Sequence, residues 1–392
     1  MLTSYNLKMP GAVYSGENAL DQITGLIGDE VKQIAVFTDQ GIAGAGLLEL
    51  PLERIRKTGK KTVIFDDLAA EPTYEEAQAA ADRFKSSGAD FIVAVGGGSV
   101  MDAAKLASVL ATDAYGVKEL LDNPGLAEKS VRTLMIPTTA GTGAEATPNA
   151  IVAVPEKELK VGIVNDHMIA DYVILDAAMT KKLPAGIAAP TGVDALCHAI
   201  ECFTSNKKNP FSDLYALQAF EMIMKHIEKA CLDPDALEEK QNMLLASFYA
   251  GVAITASGTT AVHALSYPLG GKYHIPHGVS NAMLLAPVMR FNEPVCRHLF
   301  AEAYDRLRPE YDNDRPAPGA EANEEQKSGW IVKRMEEIVE RLGIPTSLKE
   351  FGIGESDLDS LVEAGMGVQR LLGNNMRPVT EEDARRLYLE IM

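Results

Sequence analysis

Residues 91–110, FIVAVGGGSVMDAAKLASVL, decide the fold of this chain. An apolar run leads into glycines 96–98 and Ser99, after which alanine and leucine recur at helical spacing. This order predicts a buried strand, a tight turn and a helix. Glycines in such a turn let the backbone approach a pyrophosphate, and the helix amides stabilise its charge. The segment is either a phosphate site or only a strand-to-helix turn, and its sequence alone does not distinguish the two.

The same strand-then-helix order recurs through the first 180 residues. Four further apolar runs are bounded by turn residues: QIAVFTD (33–39), KTVIFDD (61–67), TLMIPTT (133–139) and YVILD (172–176). Amphipathic stretches separate them, and in residues 71–88 one helical face carries Ala77, Ala80, Ala81 and Phe84. This alternation predicts an α/β fold, a doubly wound, Rossmann-like parallel sheet covered by helices on both faces.

After about Leu183 the β-branched runs give way to long stretches rich in Ala, Leu and Met. These stretches predict a second, all-α domain. A chain of 392 residues also exceeds the size at which one core usually stops growing. We therefore predict an α/β domain over residues 1–182 and a helical domain over residues 183–392. Within the latter, the polar, Pro- and Gly-containing residues 313–329 predict an exposed loop.

Charge and composition narrow the class of partner. A formal net charge of -18 disfavours binding to nucleic acid or to an anionic membrane surface. The sequence has neither a secretory signal pattern nor an apolar run near the roughly 20 residues that span a bilayer. The four cysteines lack CxxC spacing, so no thiolate zinc site is indicated. We expect a cytoplasmic protein that acts on a small molecule.

A second glycine-containing loop, IPTTAGTGAEAT, follows the strand at residues 133–137. Its threonine hydroxyls can bind phosphate, ribose or a nicotinamide amide. Ligands of open α/β sheets sit at the carboxyl ends of the strands, where both loops are expected. The residues predicted to bind a dinucleotide are accordingly Gly97, Gly98, Ser99, Thr138, Thr139 and Thr142.

Asp39 ends the first of the apolar runs. It can accept hydrogen bonds from ribose hydroxyls and repel a 2′-phosphate, which favours NAD over NADP. It can equally be a helix cap or turn residue, because Asp commonly follows strands. The acid precedes the Gly-rich turn, whereas the usual Rossmann fingerprint has the reverse order. No GxxxxGK[ST] loop is present, which argues against an NTPase.

Two further segments carry residues suited to a metal. Asp194 and His198 stand at i and i+4 in TGVDALCHAIE, so they share a helix face. His263 and His277 lie in VHALSYPLGGKYHIPHG, where glycines 270 and 271 and Pro276 are expected to let the chain leave a helix and fold back. These ligands suit Fe, Zn, Mn or Ni rather than Ca or Mg.

Each of these four residues also has an ordinary structural interpretation. Thr191 and Asp194 resemble a helix-capping box. His198 and His263 lie in apolar helical sequence, where buried core histidines are common, and His277 can belong to a turn before Gly278. Three of the seven histidines joined by a carboxylate beside a nucleotide domain nevertheless favour a metal site.

The whole chain resembles the iron-containing (group III) alcohol dehydrogenases. The motifs that carry the resemblance are GGGSVMD (96–102), IPTTAGTGAE (136–145), TGVDALCHAIE (191–201), the segment 262–292 and NNMRPVTEEDARRLY (374–388). The resemblance implies the dehydroquinate synthase-like architecture of that family, with Asp194, His198, His263 and His277 as metal ligands. It also implies Fe²⁺, with Zn²⁺ as the alternative, an NAD(P)-binding first domain with cofactor contacts by Asp102 and Lys160, and a homodimer or larger homo-oligomer.

The chain departs from the family pattern near the proposed metal. Tyr267 stands where members usually have a histidine that serves substrate contact or proton relay, and tyrosine is a poorer proton shuttle at neutral pH. Lys272 and His274 also differ from the usual residues. We predict Tyr267 and His274 as the proton-relay candidates, and Lys272 and His274 suggest a substrate with an anionic group.

The predicted activity is hydride transfer between NAD(H) and a small alcohol or aldehyde. One alternative is a zinc-dependent polyol dehydrogenase of the glycerol type, or a dehydroquinate-synthase-like enzyme, from the same superfamily. Another is a non-catalytic nucleotide-binding protein whose histidines are structural. The possible fourth ligand, His198, speaks against the first alternative.

Overall fold

The structure, a computed structural model, describes residues 4–157, 159–307, 317–319 and 321–392. It forms two compact units, Lys8–Leu183 and Pro184–Met392, and residues 4–7 group with the second. The predicted boundary after residue 182 lies beside this division. Each unit has its own type of secondary structure.

The first unit contains the sheet. Its strands are β1 (Ala12–Ser15), β2 (Gln33–Phe37), β3 (Lys61–Phe65), β4 (Phe91–Gly96), β5 (Arg132–Pro137), β6 (Asn149–Val154), β7 (Leu159–Val164) and β8 (Tyr172–Leu175). Six of them form a parallel sheet in the order β1-β8-β5-β4-β2-β3. The other two, β6 and β7, form an antiparallel pair. All five predicted strands are present, and β1, β6 and β7 were not predicted.

Helices cover both faces of this sheet. They are α1 (Ile23–Leu26), α2 (Gln40–Gly44), α3 (Glu49–Lys57), α4 (Tyr74–Ser87), α5 (Gly98–Val109) and α6 (Val117–Asp122). Every residue of β4 is buried, as expected for a central parallel strand. Phe91, Val93 and Val95 pack on α1 and α3. On the opposite face, the Phe84 ring of α4 lies 6.1 Å from the Phe37 ring.

The second unit is helical. Its helices are α7 (Ala185–Phe203), α8 (Pro210–Leu232), α9 (Leu237–Ser257), α10 (Ala261–Tyr273), α11 (His277–Leu307), α12 (Glu324–Arg341), α13 (Leu358–Met366), α14 (Gln369–Leu372) and α15 (Glu381–Glu390). The long helices α7, α8 and α9 pack against one another, and α11 packs on α7, α10 and α12. The prediction of an α/β domain followed by an all-α domain is confirmed.

In the described part of the chain, no single helix is long and apolar enough to cross a bilayer. Helices α9 and α10 together have the length and composition of a membrane span, but they are bent by 105° at their junction.

Two local interpretations of the sequence in the second domain were wrong. Thr191 caps nothing, because α7 begins six residues earlier and the Thr191 hydroxyl donates to Ile187 O within the helix at 2.8 Å. Glycines 270 and 271 do not end α10, which continues to Tyr273. The turn is made instead by His274, whose φ of 55° is left-handed, and by the residues up to Pro276.

The predicted loop at residues 313–329 is only partly covered by the structure. Residues 313–316 and 320 lie outside the described residues. Helix α12 begins at Glu324, inside the predicted loop, because Asn323 and Gln326 form a reciprocal capping box. Because the prediction used only composition, it placed the end of the loop too far along the chain.

Candidate metal and nucleotide sites

Three side chains from three helices converge in the second unit. Asp194 comes from α7, His263 from α10 and His277 from the first residue of α11. Asp194 Oδ1 lies 3.4 Å from His263 Nε2 and 3.6 Å from His277 Nε2. One ligand atom from each residue lies within 4.8 Å of the other two. This spacing suits a single metal ion.

His198 lies beside this cluster rather than within it. Its Nε2 is 3.8 Å from Asp194 Oδ1, one helical turn away on α7. Its ring stacks on that of His263, with centroids 4.5 Å apart and planes inclined by 21°. The structure therefore brings all four sequence-predicted ligands together, with His198 outside the tightest group of three.

The cluster is strongly electrostatic. Burial opposes ionisation of Asp194, but His198, His277 and His263 outweigh it and hold the pKa of this carboxyl well below its usual value. Burial likewise opposes protonation of His263, yet the carboxylates of Glu201 and Asp194 raise its pKa to about 9. A buried carboxylate surrounded by imidazoles stabilises a positive charge at the centre of the cluster.

Glu201 holds His263 in place and was missed by the sequence analysis. It is fully buried on α7, and its Oε1 accepts hydrogen bonds from Thr260 N, Thr260 Oγ1 and Val262 N at 2.7–3.0 Å. Its Oε2 contacts His263 Nδ1. Nδ1 therefore carries the proton, and Nε2 is left facing Asp194. The signal was available, because Asp194, His198 and Glu201 follow one another at helical spacing.

Asn281 is the second residue that the sequence analysis missed. It is buried on α11, and its Nδ2 donates to Asp194 Oδ1 at 2.7 Å. The same nitrogen lies 3.2 Å from Nε2 of both His263 and His277. The spacing of His277 and Asn281, i and i+4, matches that of Asp194 and His198. This spacing did not mark Asn281 in the sequence, because His277 was not expected to begin a helix.

The residues present fit a divalent transition metal. Imidazole and carboxylate donors suit Fe²⁺ and Zn²⁺. The histidine Nε2 atoms face the carboxylate, and Glu201 supplies the outer hydrogen bond that ligating histidines usually make. Asn281 Oδ1 is buried without a hydrogen-bond partner, which leaves a polar atom beside the cluster for a further interaction.

The two proton-relay candidates have different surroundings. The Tyr267 ring lies 6.1 Å from the His277 ring, next to the cluster. Burial raises the pKa of Tyr267 although Arg370 opposes the shift, so its phenol stays protonated and can donate. His274 is exposed and ends α10 in a left-handed conformation. Lys272 is also exposed, and its Nζ donates to Ser360 Oγ at 2.7 Å.

The first unit contains a cavity at the carboxyl ends of β2, β3 and β4. Its volume is about 490 Å³, and it is lined by Asp39, Gln40, Gly41, Asp67, Leu68, Ala69, Ala70, Gly97, Gly98, Ser99 and Val100. The amino terminus of α5, a helix of 12 residues, opens onto it. Backbone amides at such a terminus bind phosphate. The loop predicted from residues 91–110 thus lies at a helix amino terminus of the kind that binds phosphate.

Two features of the loops explain their composition. A Cβ added to Gly98 would lie 3.0 Å from Thr142 Cγ2, so the two predicted loops touch and leave no room for a side chain. Thr38 Oγ1 and Thr138 Oγ1, which follow β2 and β5, are buried without a hydrogen-bond partner. Unsatisfied hydroxyls at strand ends fit a polar ligand. Thr139 is half-buried, and Thr142 Oγ1 accepts from Ala144 N at 3.3 Å.

Asp39 is a helix cap and also lies at the cavity. Its Oδ1 accepts from Ile42 N at 2.9 Å and caps α2, while the side chain also lines the cavity. Asp67, from the end of β3, lines the same cavity and pairs with Arg83 at 2.8 Å. Two carboxylates therefore stand where a ribose is expected, and one of them has a cationic partner.

Asp102 and Lys160 make contacts with protein rather than lining the cavity. Asp102 is buried, pairs with the buried Lys105 at 3.1 Å and accepts from Ile151 N at 3.0 Å. It thereby ties α5 to β6. Lys160, on β7, pairs with Glu71 at 2.6 Å. Glu71 has a φ of 60°, and its backbone N–H donates to Ser99 Oγ.

Family models and known proteins match this chain over most of its length. A model described as iron-containing alcohol dehydrogenase matches residues 10–177, and one described as Fe-containing alcohol dehydrogenase family, C-terminal, matches residues 188–392. Long-chain-alcohol dehydrogenase 1 of Geobacillus thermodenitrificans is 33% identical over 383 residues, which cover 97% of this chain and 94% of that protein.

Two solved structures of named enzymes have a fold similar to that of this chain. The structure of 1,3-propanediol oxidoreductase has a TM-score of 0.89 at 26% identity and covers 100% of both chains. That of sulfoacetaldehyde reductase from Bifidobacterium kashiwanohense, in complex with NAD⁺, has a TM-score of 0.85 at 25% identity and covers 99% of both.

Family matches on both units define the class of protein as an oxidoreductase that acts on CH–OH groups. More narrowly, the chain belongs to the iron-containing alcohol dehydrogenase family. The resemblance inferred from the sequence motifs is thereby confirmed. Membership of this family implies an alcohol or an aldehyde as substrate.

Proposed function

We propose that this protein is an Fe²⁺-dependent alcohol dehydrogenase or aldehyde reductase that uses NAD(H), with Asp194, His198, His263 and His277 as its metal ligands. The convergence of Asp194, His263 and His277 at 3.4–3.6 Å carries the proposal. Zinc remains the alternative metal, since the same donors suit both ions. Elemental analysis of anaerobically purified protein distinguishes iron from zinc.

The ion and the dinucleotide have one set of roles in the proposed reaction, and side chains of the protein have another. When bound, the ion supplies Lewis-acid polarisation of a carbonyl oxygen and NADH supplies the hydride. Glu201 accepts a hydrogen bond from His263 Nδ1, so Nε2 is the nitrogen that would give up its proton and ligate the ion. Tyr267, held protonated beside His277, is the group best placed to donate a hydrogen bond to the substrate oxygen.

The preference for NAD over NADP rests on the cavity of the first unit. Asp39 and Asp67 line it, and no Lys or Arg is among its described lining residues. Since Asp67 already has Arg83 as a partner, Asp39 is the carboxylate that would repel a 2′-phosphate. The related sulfoacetaldehyde reductase was solved with NAD⁺, which supports the same choice.

An anaerobic, iron-reconstituted screen of short aldehydes with NADH and NADPH tests the proposal. We expect turnover of at least one aldehyde, with NADH as the better cofactor. Folded His263→Ala and His277→Ala variants should lose both bound metal and turnover. Wild-type metal content and turnover in both variants would exclude the proposed site.

We further propose that the substrate carries an anionic group such as a carboxylate or sulfonate. Lys272 and His274 in the sequence motivate this, and the relative that reduces sulfoacetaldehyde supports it. The test compares kcat/KM for a neutral and an anionic aldehyde of equal length in the wild type and in Lys272→Ala. An unchanged ratio of the two values would remove Lys272 from substrate recognition.

We also propose a homodimer or a larger homo-oligomer, as the family resemblance implies. Light scattering coupled to size-exclusion chromatography measures the mass directly. A mass of one chain, 42.2 kDa, at working concentration would contradict this.

A further inference from the structure

Asn281 lies among the proposed metal ligands, although no sequence motif marked it as one. Its side chain is completely buried. The Nδ2 end lies 2.7 Å from Asp194 Oδ1, 3.2 Å from His263 Nε2 and 3.2 Å from His277 Nε2. One end of this amide therefore contacts all three atoms of the tightest donor group.

The other end of the same amide is unsatisfied. Asn281 Oδ1 is buried and has no hydrogen-bond partner. An unpaired buried polar atom is costly, so this position is unfavourable for an amide whose only role is packing. A half-turn about the last side-chain bond would exchange oxygen and nitrogen without moving the backbone. The oxygen would then face the three donors.

The distances around the cluster suit such an exchange. Donor atoms that surround one ion at about 2.1 Å stand about 3.0 Å apart in octahedral and about 3.4 Å apart in tetrahedral geometry. The contacts of the Asn281 amide, 2.7–3.2 Å, and those from Asp194 to the two imidazoles, 3.4 and 3.6 Å, lie around these values. An ion that touches the three donors would also meet the end of Asn281.

We propose that Asn281 is a further ligand of the metal ion, through Oδ1. The inference rests on the proposed metal site and adds one donor to it. In the metal-free chain the Nδ2 end of the amide faces Asp194 and the two imidazoles. In the metal-loaded chain the oxygen takes that position. The amide is neutral, so it supplies an oxygen donor without a second negative charge beside Asp194.

Binding of Co²⁺ to metal-depleted protein tests this assignment. Co²⁺ is the probe because its visible absorption reports the number and kind of its ligands. Dissociation constants come from competition with a chromophoric chelator, and spectra are taken at saturation. Asn281→Ala should bind about 10- to 100-fold more weakly and change the spectrum, a loss at least as large as that caused by removing an outer hydrogen-bond partner. Asn281→Asp, which keeps an oxygen, should bind at least as tightly as the wild type.

Asn292→Ala is the matched control. Asn292 is a buried asparagine of the same helix, and its amide exchanges hydrogen bonds of 2.8–2.9 Å with Asn375. Its replacement should leave Co²⁺ affinity and spectrum unchanged. If Asn281→Ala does not fold, Asn281→Ser replaces it, because serine is also too short to keep the contact at this position.

The remaining outcomes each contradict a defined part of the inference. Equal losses of affinity in Asn281→Ala and Asn281→Asp, with an unchanged spectrum, would mean that the amide only positions Asp194. Wild-type affinity in Asn281→Ala would remove Asn281 from the site altogether. A wild-type protein that binds no Co²⁺ would overturn the proposed metal site itself, and the inference with it.

Discussion

At the scale of single residues, the candidate metal site depends on groups other than the four proposed ligands. Glu201 fixes the tautomer of His263 and also accepts hydrogen bonds from the backbone at the start of α10. The sequence motif TGVDALCHAIE contains Glu201, but its partners Thr260 and Val262 are about sixty positions away. Helical spacing could have placed it on the ligand face, whereas its contact with His263 required the folded chain.

Glu201→Gln should weaken metal binding by about 10- to 100-fold. The amide keeps an oxygen for the Thr260 and Val262 donors but loses the charge that holds the proton on His263 Nδ1. Chelator competition with Co²⁺ measures the effect. Glu145→Gln, a change at a buried carboxylate of the other unit, is the control and should retain wild-type affinity. Equal affinities in all three proteins would contradict the assigned role.

Glu145 supports a separate prediction about pH. Burial raises its pKa to about 7 from 4.5, although a local backbone hydrogen bond and Lys105 oppose the shift. Between these values the folded chain holds a proton that the unfolded chain has lost. This contribution to stability is therefore complete below pH 4.5 and is lost as pH rises through about 7. Its size is about 3 kcal/mol.

Glu145→Gln removes this dependence. Its urea midpoint should exceed that of the wild type at pH 8 and approach it at pH 5. The difference between the two proteins isolates Glu145 from the other titrating groups. A difference that is the same at both pH values would mean that the carboxyl is not held protonated in the folded chain.

At the scale of elements, the site is set by how closely helices approach. Gly278, directly after His277, lies against Pro190 in the turn of α7 that precedes Asp194. A Cβ at this position would lie 2.3 Å from Pro190 O.

The strands show which elements can be predicted from sequence patterns. Buried parallel strands are continuous apolar runs and were predicted, whereas β1 is short and half-buried, and β6 alternates buried and half-buried residues.

Gly278→Ala should lower stability by about 1–3 kcal/mol and weaken metal binding. The added methyl must push α11 from α7, which separates His277 from Asp194. Urea midpoints and Co²⁺ affinity measure the two effects. Gly329→Ala is the control, because that helical glycine of α12 is exposed and a Cβ there meets nothing within 4 Å. It should be stabilising by about 0.4–1 kcal/mol, and a harmless Gly278→Ala would disprove the close-contact argument.

At the scale of the whole molecule, the two proposed kinds of binding belong to two different units. The cavity proposed for the dinucleotide is lined by residues of Lys8–Leu183, and the proposed metal donors belong to Pro184–Met392. Periodicity and loop composition predicted an α/β domain and a helical domain with these candidate sites. They could not supply the donor distances, since these depend on the packing of α7, α10 and α11, which lie far apart in sequence.

Chelation of the metal should therefore lower turnover steeply without affecting nucleotide affinity in the first unit. We expect kcat to fall by roughly 10²-fold or more, because Lewis-acid stabilisation is worth several kcal/mol. ADP-ribose, which lacks the nicotinamide, should bind the metal-depleted and metal-loaded proteins equally by calorimetry. A weaker ADP-ribose complex after chelation would show that the two sites are coupled.

The origin of the donors on three separate helices has a consequence for folding. An ion held by Asp194, His263 and His277 is a removable cross-link between α7, α10 and α11, and the unfolded chain has no such preformed site. At a free metal concentration of 100 times the dissociation constant, it adds about 2.7 kcal/mol to the stability of the folded chain. The amount of folded enzyme in a cell would then depend on metal supply, and starvation for the ion would expose the chain to proteolysis as well as stop its turnover.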